Sequence, residues 1–257
     1  MSTFLFNEII FGPVTSRRLG VSLGVNLLPT DYKFCTFNCV YCECGWTLKA
    51  HKKVTLPSRE EVKKELEKVL IDYSRNDKQI DSITFAGNGE PTIHPDFAAI
   101  IDDTIELRDQ WMPQAMISVL SNASQLNKPS ITGALNKIDK NILKLDAGTE
   151  NTYRLINKAQ KHIKFDHIVD YLKNFNGHLI IQTLFIKGEF EGAFFDNTSE
   201  KEIAAWLKLI EEIQPQTVML YPIARDTPTD HLTKIDQHTL NSIARRVEAL
   251  GIATEVY

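Results

Sequence analysis

Beyond residue 55, short apolar runs alternate with longer segments whose apolar residues recur every three or four positions. The short runs predict buried strands, and the longer segments predict amphipathic helices. Ser58 with Glu61 and Ser199 with Glu202 have the spacing of a capping box, which marks a helix start. The predicted strands lie at 21–29, 82–87, 116–122, 142–148, 178–188 and 217–224, with a short final strand in the last five residues. The predicted helices cover 56–70, 94–109, 128–138, 165–175, a segment that begins at Ser199, and Asp236 to Gly251.

Six β/α units in sequence order predict a parallel sheet covered by helices. Two architectures fit, a doubly wound open sheet and a barrel, and six units are fewer than the eight that close a full barrel. We therefore expect an α/β fold, a partial (β/α)6 barrel of TIM type that is open on one side. In either architecture ligands bind at the carboxyl ends of the strands.

We expect one domain over 1–257, because no linker-like composition divides the chain. It would comprise a leader and first strand (1–30), a cysteine-bearing loop (31–54), β/α units (55–235) and a last helix and strand (236–257). We expect no signal peptide, no membrane span and a cytoplasmic location. The net charge of −4 gives no argument for nucleic acid, although the basic stretch from Lys49 to Lys53 weakly favours tRNA.

All four cysteines lie within ten positions: Cys35, Cys39, Cys42 and Cys44. In a cytosolic protein such a group indicates metal or redox chemistry rather than disulfides. Structural zinc prefers two ligand pairs separated by a longer spacer, whereas three thiolates on one tight loop suit a [4Fe–4S] cluster with one open iron. The alternative is a zinc-stabilised α/β module that binds nucleotides or RNA, with Cys44 as a ligand.

The spacing C-x3-C-x2-C, with Tyr41 before the third cysteine, resembles the signature of the radical S-adenosylmethionine (radical SAM) enzymes. The resemblance implies that Cys35, Cys39 and Cys42 hold one [4Fe–4S] cluster. It also implies that S-adenosylmethionine (SAM) chelates the fourth iron and is reductively cleaved to methionine and a 5′-deoxyadenosyl radical. That radical would abstract hydrogen from a substrate, and Tyr41 would lie beside the adenine.

A second motif, Gly87-Asn88-Gly89-Glu90, follows the predicted strand at 82–87 and resembles the Gly-Gly-Glu segment that binds the SAM amino group in this family. Glycines let the backbone approach a ligand closely, and a carboxylate suits an ammonium. Further cofactor candidates at strand ends or on buried strands are Ser121, Asn122, Asp146, Gln182 and Tyr221.

Four basic residues are candidates for contact with the substrate: Arg17, Arg18, Lys144 and Arg225. Lys144 and Asp146 alternate with leucines, so both should face one side of their strand, as functional groups or as a structural ion pair. Arg17 and Arg18 could bind phosphate or carboxylate, or form surface ion pairs.

The leader from Gly12 to Pro29 resembles a radical SAM subgroup that includes relatives of wyosine synthase. Wyosine synthase uses a second cluster, and the one cysteine outside the signature, Cys44, does not suffice to hold it. This puts that activity in doubt. The resemblance implies an electron donor such as flavodoxin or ferredoxin. The substrate stays open among tRNA, a peptide and a small molecule.

Overall fold

The computed structural model describes residues 4–47 and 54–257. The basic stretch from Lys49 to Lys53 therefore lies outside the described residues. The strands are β1 (Ile10–Ser16), β2 (Gly20–Val25), β3 (Ser82–Phe85), β4 (Met116–Ser121), β5 (Lys140–Lys144), β6 (Ile180–Leu184), β7 (Ile186–Phe190), β8 (Ala193–Asp196), β9 (Thr217–Tyr221), β10 (Leu232–Lys234) and β11 (Ala253–Val256). The helices are α1 (Arg59–Arg75), α2 (Phe97–Trp111), α3 (Pro129–Leu135), α4 (Glu150–Asn157), α5 (Phe165–Lys173), α6 (Glu200–Ile213) and α7 (Gln237–Glu248).

Eight strands form one sheet in the order β1-β2-β3-β4-β5-β6-β9-β11. Every neighbouring pair from β2 to β11 is parallel, and β1 is antiparallel to β2 at one edge. The two edge strands do not pair with each other, so the barrel stays open. The predicted fold, an open partial barrel of six β/α units, is confirmed.

The predicted helix starts are confirmed with one difference. Ser58 and Glu61 form both hydrogen bonds of the capping box at α1. At α6, Ser199 accepts from the Glu202 amide, but the Glu202 carboxylate instead accepts from Gly148 N and Thr149 Oγ1. The second box is therefore incomplete, because Glu202 joins α6 to the segment that follows β5.

The side chains of each barrel strand alternate between two faces. The outer face packs against the helices and carries the main apolar core, including Ile83, Phe85 and Leu220. The inner face carries Ser22, Ser82, Thr84, Ser118, Leu120, Ile142, Lys144, Ile180, Gln182, Met219 and Tyr221. This is the period-two pattern that every pleated strand imposes.

The turn between β1 and β2 closes the barrel interior at its lower end. Leu19 in this turn is buried against Ile142, Ile180 and Met219 of the inner face. Each of these three precedes a polar inner residue by two positions, so the apolar layer lies nearer the amino ends of the strands. The layer above it, toward the carboxyl ends, is polar.

The stretch 187–199 contains most of the β7–β8 hairpin, and β10 pairs antiparallel with β7. The three phenylalanines of this stretch differ in exposure. Phe195 is buried, Phe190 packs on Trp46, and Phe194 is 77% exposed. Strand β1 and helix α4 were also not predicted.

No helix among the described residues is both long and apolar enough to cross a membrane.

Candidate functional site

The cysteine-bearing loop is fixed to the segment after β3 by backbone pairing. Phe34 N donates to Asn88 O at 2.8 Å, and Glu90 N donates to Phe34 O at 3.3 Å. Gly89 has φ +146°, and a Cβ there would lie 1.9 Å from Phe34 O. Only glycine allows this approach, so the two sequence motifs form one local unit.

The three thiols of the signature are free, and two of them accept hydrogen bonds from N–H donors. Phe37 N and Asn122 Nδ2 donate to Cys35 Sγ at 3.4 and 3.5 Å, and Asn157 Nδ2 donates to Cys39 Sγ at 3.6 Å. Helix α4 also holds the loop, because the carbonyls of Ile156 and Asn157 accept from Val40 N and Asn38 N. Hydrogen bonds to cysteine sulfur stabilise iron–sulfur clusters and tune their potentials.

Lys33 is a buried cation beside these thiols that the motif search missed. Its side chain is 3% exposed, and Nζ donates to Gly45 O at 2.9 Å. Burial acts to lower the pKa of Lys33, but the negative charges of Cys42, Cys35 and Cys39 outweigh it and raise the pKa. A buried lysine is rare without a partner, and its position two residues before Cys35 was the available sequence signal.

Cys44 contacts both motifs without matching the signature. Its thiol hydrogen-bonds Cys42, which lowers the pKa of Cys42 and raises that of Cys44. Its Sγ also lies 3.5 Å from Gly87 O, to which it donates. Its single S–H hydrogen goes to Gly87 O in the structure, and Cys42 Sγ is the alternative acceptor for it.

The donor set fits a cubane better than a single ion. Across residues 4–47 and 54–257, no group of three or more His, Cys, Asp or Glu side chains is arranged to hold one metal ion. The ligands of a cubane bind three different irons, so they need not converge on one point as zinc ligands do. Three thiols, the N–H donors to two of them and buried Lys33 suit an anionic cluster.

Glu90 is buried at the carboxyl ends of β3 and β4. Oε1 accepts from Thr92 N at 3.2 Å and from Ser121 Oγ at 2.8 Å, and Oε2 accepts from Asn122 N at 2.6 Å. Burial raises the pKa of Glu90, although the hydrogen bonds from Asn122, Thr92 and Ser121 oppose the shift. Oε1 also accepts from Thr92 Oγ1, whereas Oε2 accepts one hydrogen bond among the described residues and keeps a lone pair for a further donor.

Asp146 forms the centre of a second polar group. Its Oδ2 accepts from Lys144 Nζ at 2.9 Å, from Asn157 Nδ2 at 2.8 Å and from the Tyr41 hydroxyl, which Lys144 also contacts. Burial acts to lower the pKa of Lys144, but the Asp146 charge raises it overall. The alternative that Lys144 and Asp146 pair with each other agrees with this geometry, and Tyr41 completes the group.

A cavity of about 420 Å³ opens beside the cysteine-bearing loop, and neither Glu90 nor Asp146 is among the residues that line it. Among the candidate residues it brings together Tyr41, Cys42, Arg17, Arg18, Tyr221 and Arg225, and Cys44 also lines it. Gln182 is buried behind it and accepts from Tyr221 Oη at 3.3 Å.

Two residues of the second motif serve the backbone rather than the cavity. The Asn88 amide bonds the backbone of Phe6 and Pro29, and a Cβ at Gly87 would lie 2.4 Å from Asn26 Oδ1. The side chain of Asn122, expected near the cofactor ribose or carboxylate, donates to Thr36 and Cys35.

The family model described as the radical SAM superfamily matches residues 30–196. The chain is 33% identical over 247 residues to a protein named GTPase Obg from Brachyspira hyodysenteriae, covering 93% of this chain and 33% of that protein. It is 31% identical over 217 residues to a UPF0026 protein from Methanocaldococcus jannaschii, covering 82% and 62%. The chain thus spans less than two thirds of the length of either relative.

Solved radical SAM structures share the fold at low identity. A radical SAM methyltransferase from Sphaerobacter thermophilus matches with a TM-score of 0.66 at 13% identity, over 92% of this chain and 65% of that one. SuiB of Streptococcus suis, bound to its precursor peptide SuiA, matches with 0.62 at 17%, over 90% and 48%. Archaeal TYW1 matches with 0.55 at 14%, over 89% and 71%.

Proposed function

We propose that this chain, which belongs to the radical SAM superfamily, holds one [4Fe–4S] cluster on Cys35, Cys39 and Cys42 and cleaves SAM reductively. The observation that carries the proposal is the backbone pairing of the cysteine-bearing loop, which lines the cavity through Tyr41 and Cys42, with the Glu90 segment. When bound, the cluster and SAM would supply one-electron cleavage to methionine and a 5′-deoxyadenosyl radical, which takes hydrogen from the substrate.

Glu90 would bind the SAM ammonium through the acceptor position left on Oε2. Ser121 and Asn122 would position Glu90 and Cys35, because their polar atoms already bond those residues. The Tyr41 hydroxyl is bonded to Asp146 and Lys144, so its ring would contact the adenine. Gln182, Tyr221 and Asp146 would define the inner wall of the cofactor and substrate space.

The reaction consumes one electron per SAM, which an external donor of the flavodoxin or ferredoxin class would supply. Lys33 would balance part of the negative charge that the three thiolates bring into a buried site. Cys44 would remain off the cluster as a donor to Cys42.

Anaerobic reconstitution with iron and sulfide tests the proposal directly. The protein should become brown, analyse for one [4Fe–4S] cluster, and with dithionite convert SAM to 5′-deoxyadenosine and methionine. Glu90→Ala should keep the cluster and weaken SAM binding. A colourless protein that binds a single zinc ion would instead favour the zinc-stabilised module.

A further inference from the structure

The turn between β1 and β2 carries a guanidinium into the polar layer of the barrel. Arg18 Nη1 donates to Gln182 Oε1 at 3.1 Å, and its guanidinium carbon lies 4.6 Å from the Tyr221 ring centroid. Tyr221 Oη donates to the same Gln182 oxygen. Side chains from β6 and β9 therefore fix the orientation of Arg18.

The charges around the cavity leave Arg17 and Arg18 without an ion pair among the described residues, and of the two only Arg18 is held by side chains of the inner face. Lys144 is paired with Asp146 at 2.9 Å, and Arg225 is paired with Glu43 at 2.6 Å. Arg18 has no carboxylate partner among the described residues, and both of its contacts are neutral, since burial raises the pKa of Tyr221. One of its five N–H donors is used by Gln182.

Hydroxyl groups also line this cavity. Ser22 and Thr84 line it together with Arg18, and their hydroxyl oxygens are 2.7 Å apart. The series of hydrogen-bonded hydroxyls continues to Ser82 Oγ, which lies 3.0 Å from Thr84 Oγ1. Ser118 Oγ ends the series, 2.8 Å from Ser82 Oγ. A cation of fixed orientation and hydroxyl donors that line one cavity form an arrangement that receives acceptor oxygens.

We propose that Arg18 is the receptor for an anionic group, a carboxylate or a phosphate, on the substrate of the radical step. This inference rests on the proposed function, because the radical step defines the substrate. A half-buried guanidinium without a counter-charge is unfavourable until an anion binds. The planar fork matches carboxylate and phosphate oxygens. A cavity of about 420 Å³ is the size of a small-molecule site.

Anion binding to the chain without cluster or SAM provides the test. Inorganic phosphate and acetate are titrated at constant ionic strength, with calorimetry as the measurement. The chain should bind at least one of them, and Arg18→Gln should weaken that binding by about tenfold to a hundredfold, as expected for one charged hydrogen-bond donor. Preference for phosphate or for acetate identifies which anionic group the substrate carries.

Gln182→Glu is the matched variant that keeps Arg18. A glutamate at this position would pair with the guanidinium inside the protein and should weaken anion binding as much as Arg18→Gln does. Arg245→Gln removes the same charge from the exposed side of α7 and should leave anion binding unchanged. If Arg245→Gln weakens anion binding as much as Arg18→Gln does, the loss reflects the net charge of the protein and the proposal is wrong.

SAM binding to the reconstituted protein separates substrate from cofactor. If Arg18→Gln weakens SAM binding by the same factor as anion binding, Arg18 binds the cofactor carboxylate and the substrate assignment is wrong. Binding of neither anion to a chain that cleaves SAM would overturn the anion site alone. Phosphate binding through Arg18 in a chain that never cleaves SAM would overturn the proposed function and leave the anion site standing.

Discussion

The two faces of the barrel strands differ in what their side chains contact. On β3, Ile83 and Phe85 are buried in the apolar core under the helices, whereas Ser82 and Thr84 bond other hydroxyls inside the barrel. On β9, Leu220 is buried in the apolar core, whereas Tyr221 bonds Gln182 inside the barrel. Close apolar packing stabilises the outer face, whereas the inner face positions charges and hydroxyls. Substitutions on the inner face should therefore change ligand binding with little effect on folding. Substitutions on the outer face should lower the stability of the fold with little effect on ligand binding.

The largest expected effect comes from the cysteine-bearing loop. Cys39→Ala should abolish cluster assembly, because it removes one of three proposed ligands, and iron and sulfide analysis with absorbance spectroscopy measures this. The outer core does not depend on the cluster, so circular dichroism of the unloaded variant should match that of the unloaded chain.

Cys44→Ala is the matched control on the same loop. It should retain the cluster, since Cys44 contacts Cys42 and Gly87 O only as a donor. Equal loss of iron in both variants would make Cys44 a ligand, and unfolding of Cys39→Ala would show that the two faces are coupled.

Adjacent residues on β9 test the comparison most directly. Leu220→Ala should lower the free energy of unfolding by about 2–5 kcal/mol, because it opens a cavity in the buried outer core. Tyr221→Phe removes one hydrogen bond at 3.3 Å and should lower it by about 1 kcal/mol or less. Urea unfolding of both unloaded variants measures the difference, and similar losses would contradict the division between faces.

Periodicity and capping residues predicted the parallel strands and most helices. The alternation of side chains along a strand and their 3.6-residue repeat along a helix are visible within one short segment of sequence. They missed α4, whose residues 150–157 have few apolar positions, although its end holds the cysteine-bearing loop. They also missed the β7–β8 hairpin, because its strands are short and half polar.

The motifs located Cys35, Cys39, Cys42 and Glu90, since ligand spacing on one loop is visible in sequence. The contacts of Lys33, Asn157 and Arg18 were not predictable, because they join residues 12, 118 and 164 positions apart. Long-range pairing of this kind depends on how the chain folds around the open barrel, and a single sequence does not encode it as a local pattern.

A smaller effect should follow from Lys33→Met, which removes the buried cation beside the thiols. The reduction potential of the reconstituted cluster should fall, on the order of 60 mV, because the reduced cluster carries one more negative charge. Potentiometric titration followed by electron paramagnetic resonance measures the shift. Lys78→Met, in an exposed pair with Asp72, should leave the potential unchanged. An equal potential in Lys33→Met would show that Lys33 acts only through its bond to Gly45 O.

The smallest effect should come from an ion pair on the helix layer. Asp103 of α2 is 5% exposed and binds Arg59 Nε at 2.6 Å and Lys63 Nζ at 3.0 Å from α1, which are 44% and 41% exposed. Its hydrogen bond to Arg59 is the main cause that lowers the pKa of Asp103. A carboxyl group with a lowered folded pKa stabilises the fold above its unfolded pKa of about 3.9, and that stability is lost as pH falls through the folded pKa.

Asp103→Asn should therefore reduce stability modestly at neutral pH, because the cationic partners are solvent-screened. It should also flatten the decline of the unfolding free energy below about pH 4, where the wild-type carboxylate takes up its proton. Urea unfolding at a series of pH values measures both changes, with Asp102→Asn, from an exposed pair with Lys137, as control. Because Asp103 lies on the helix side of the sheet, anion and SAM binding should be unchanged in the variant. A change in anion binding or in SAM binding would show that a substitution in the helix layer affects the inner face. That result would contradict the division between the two faces.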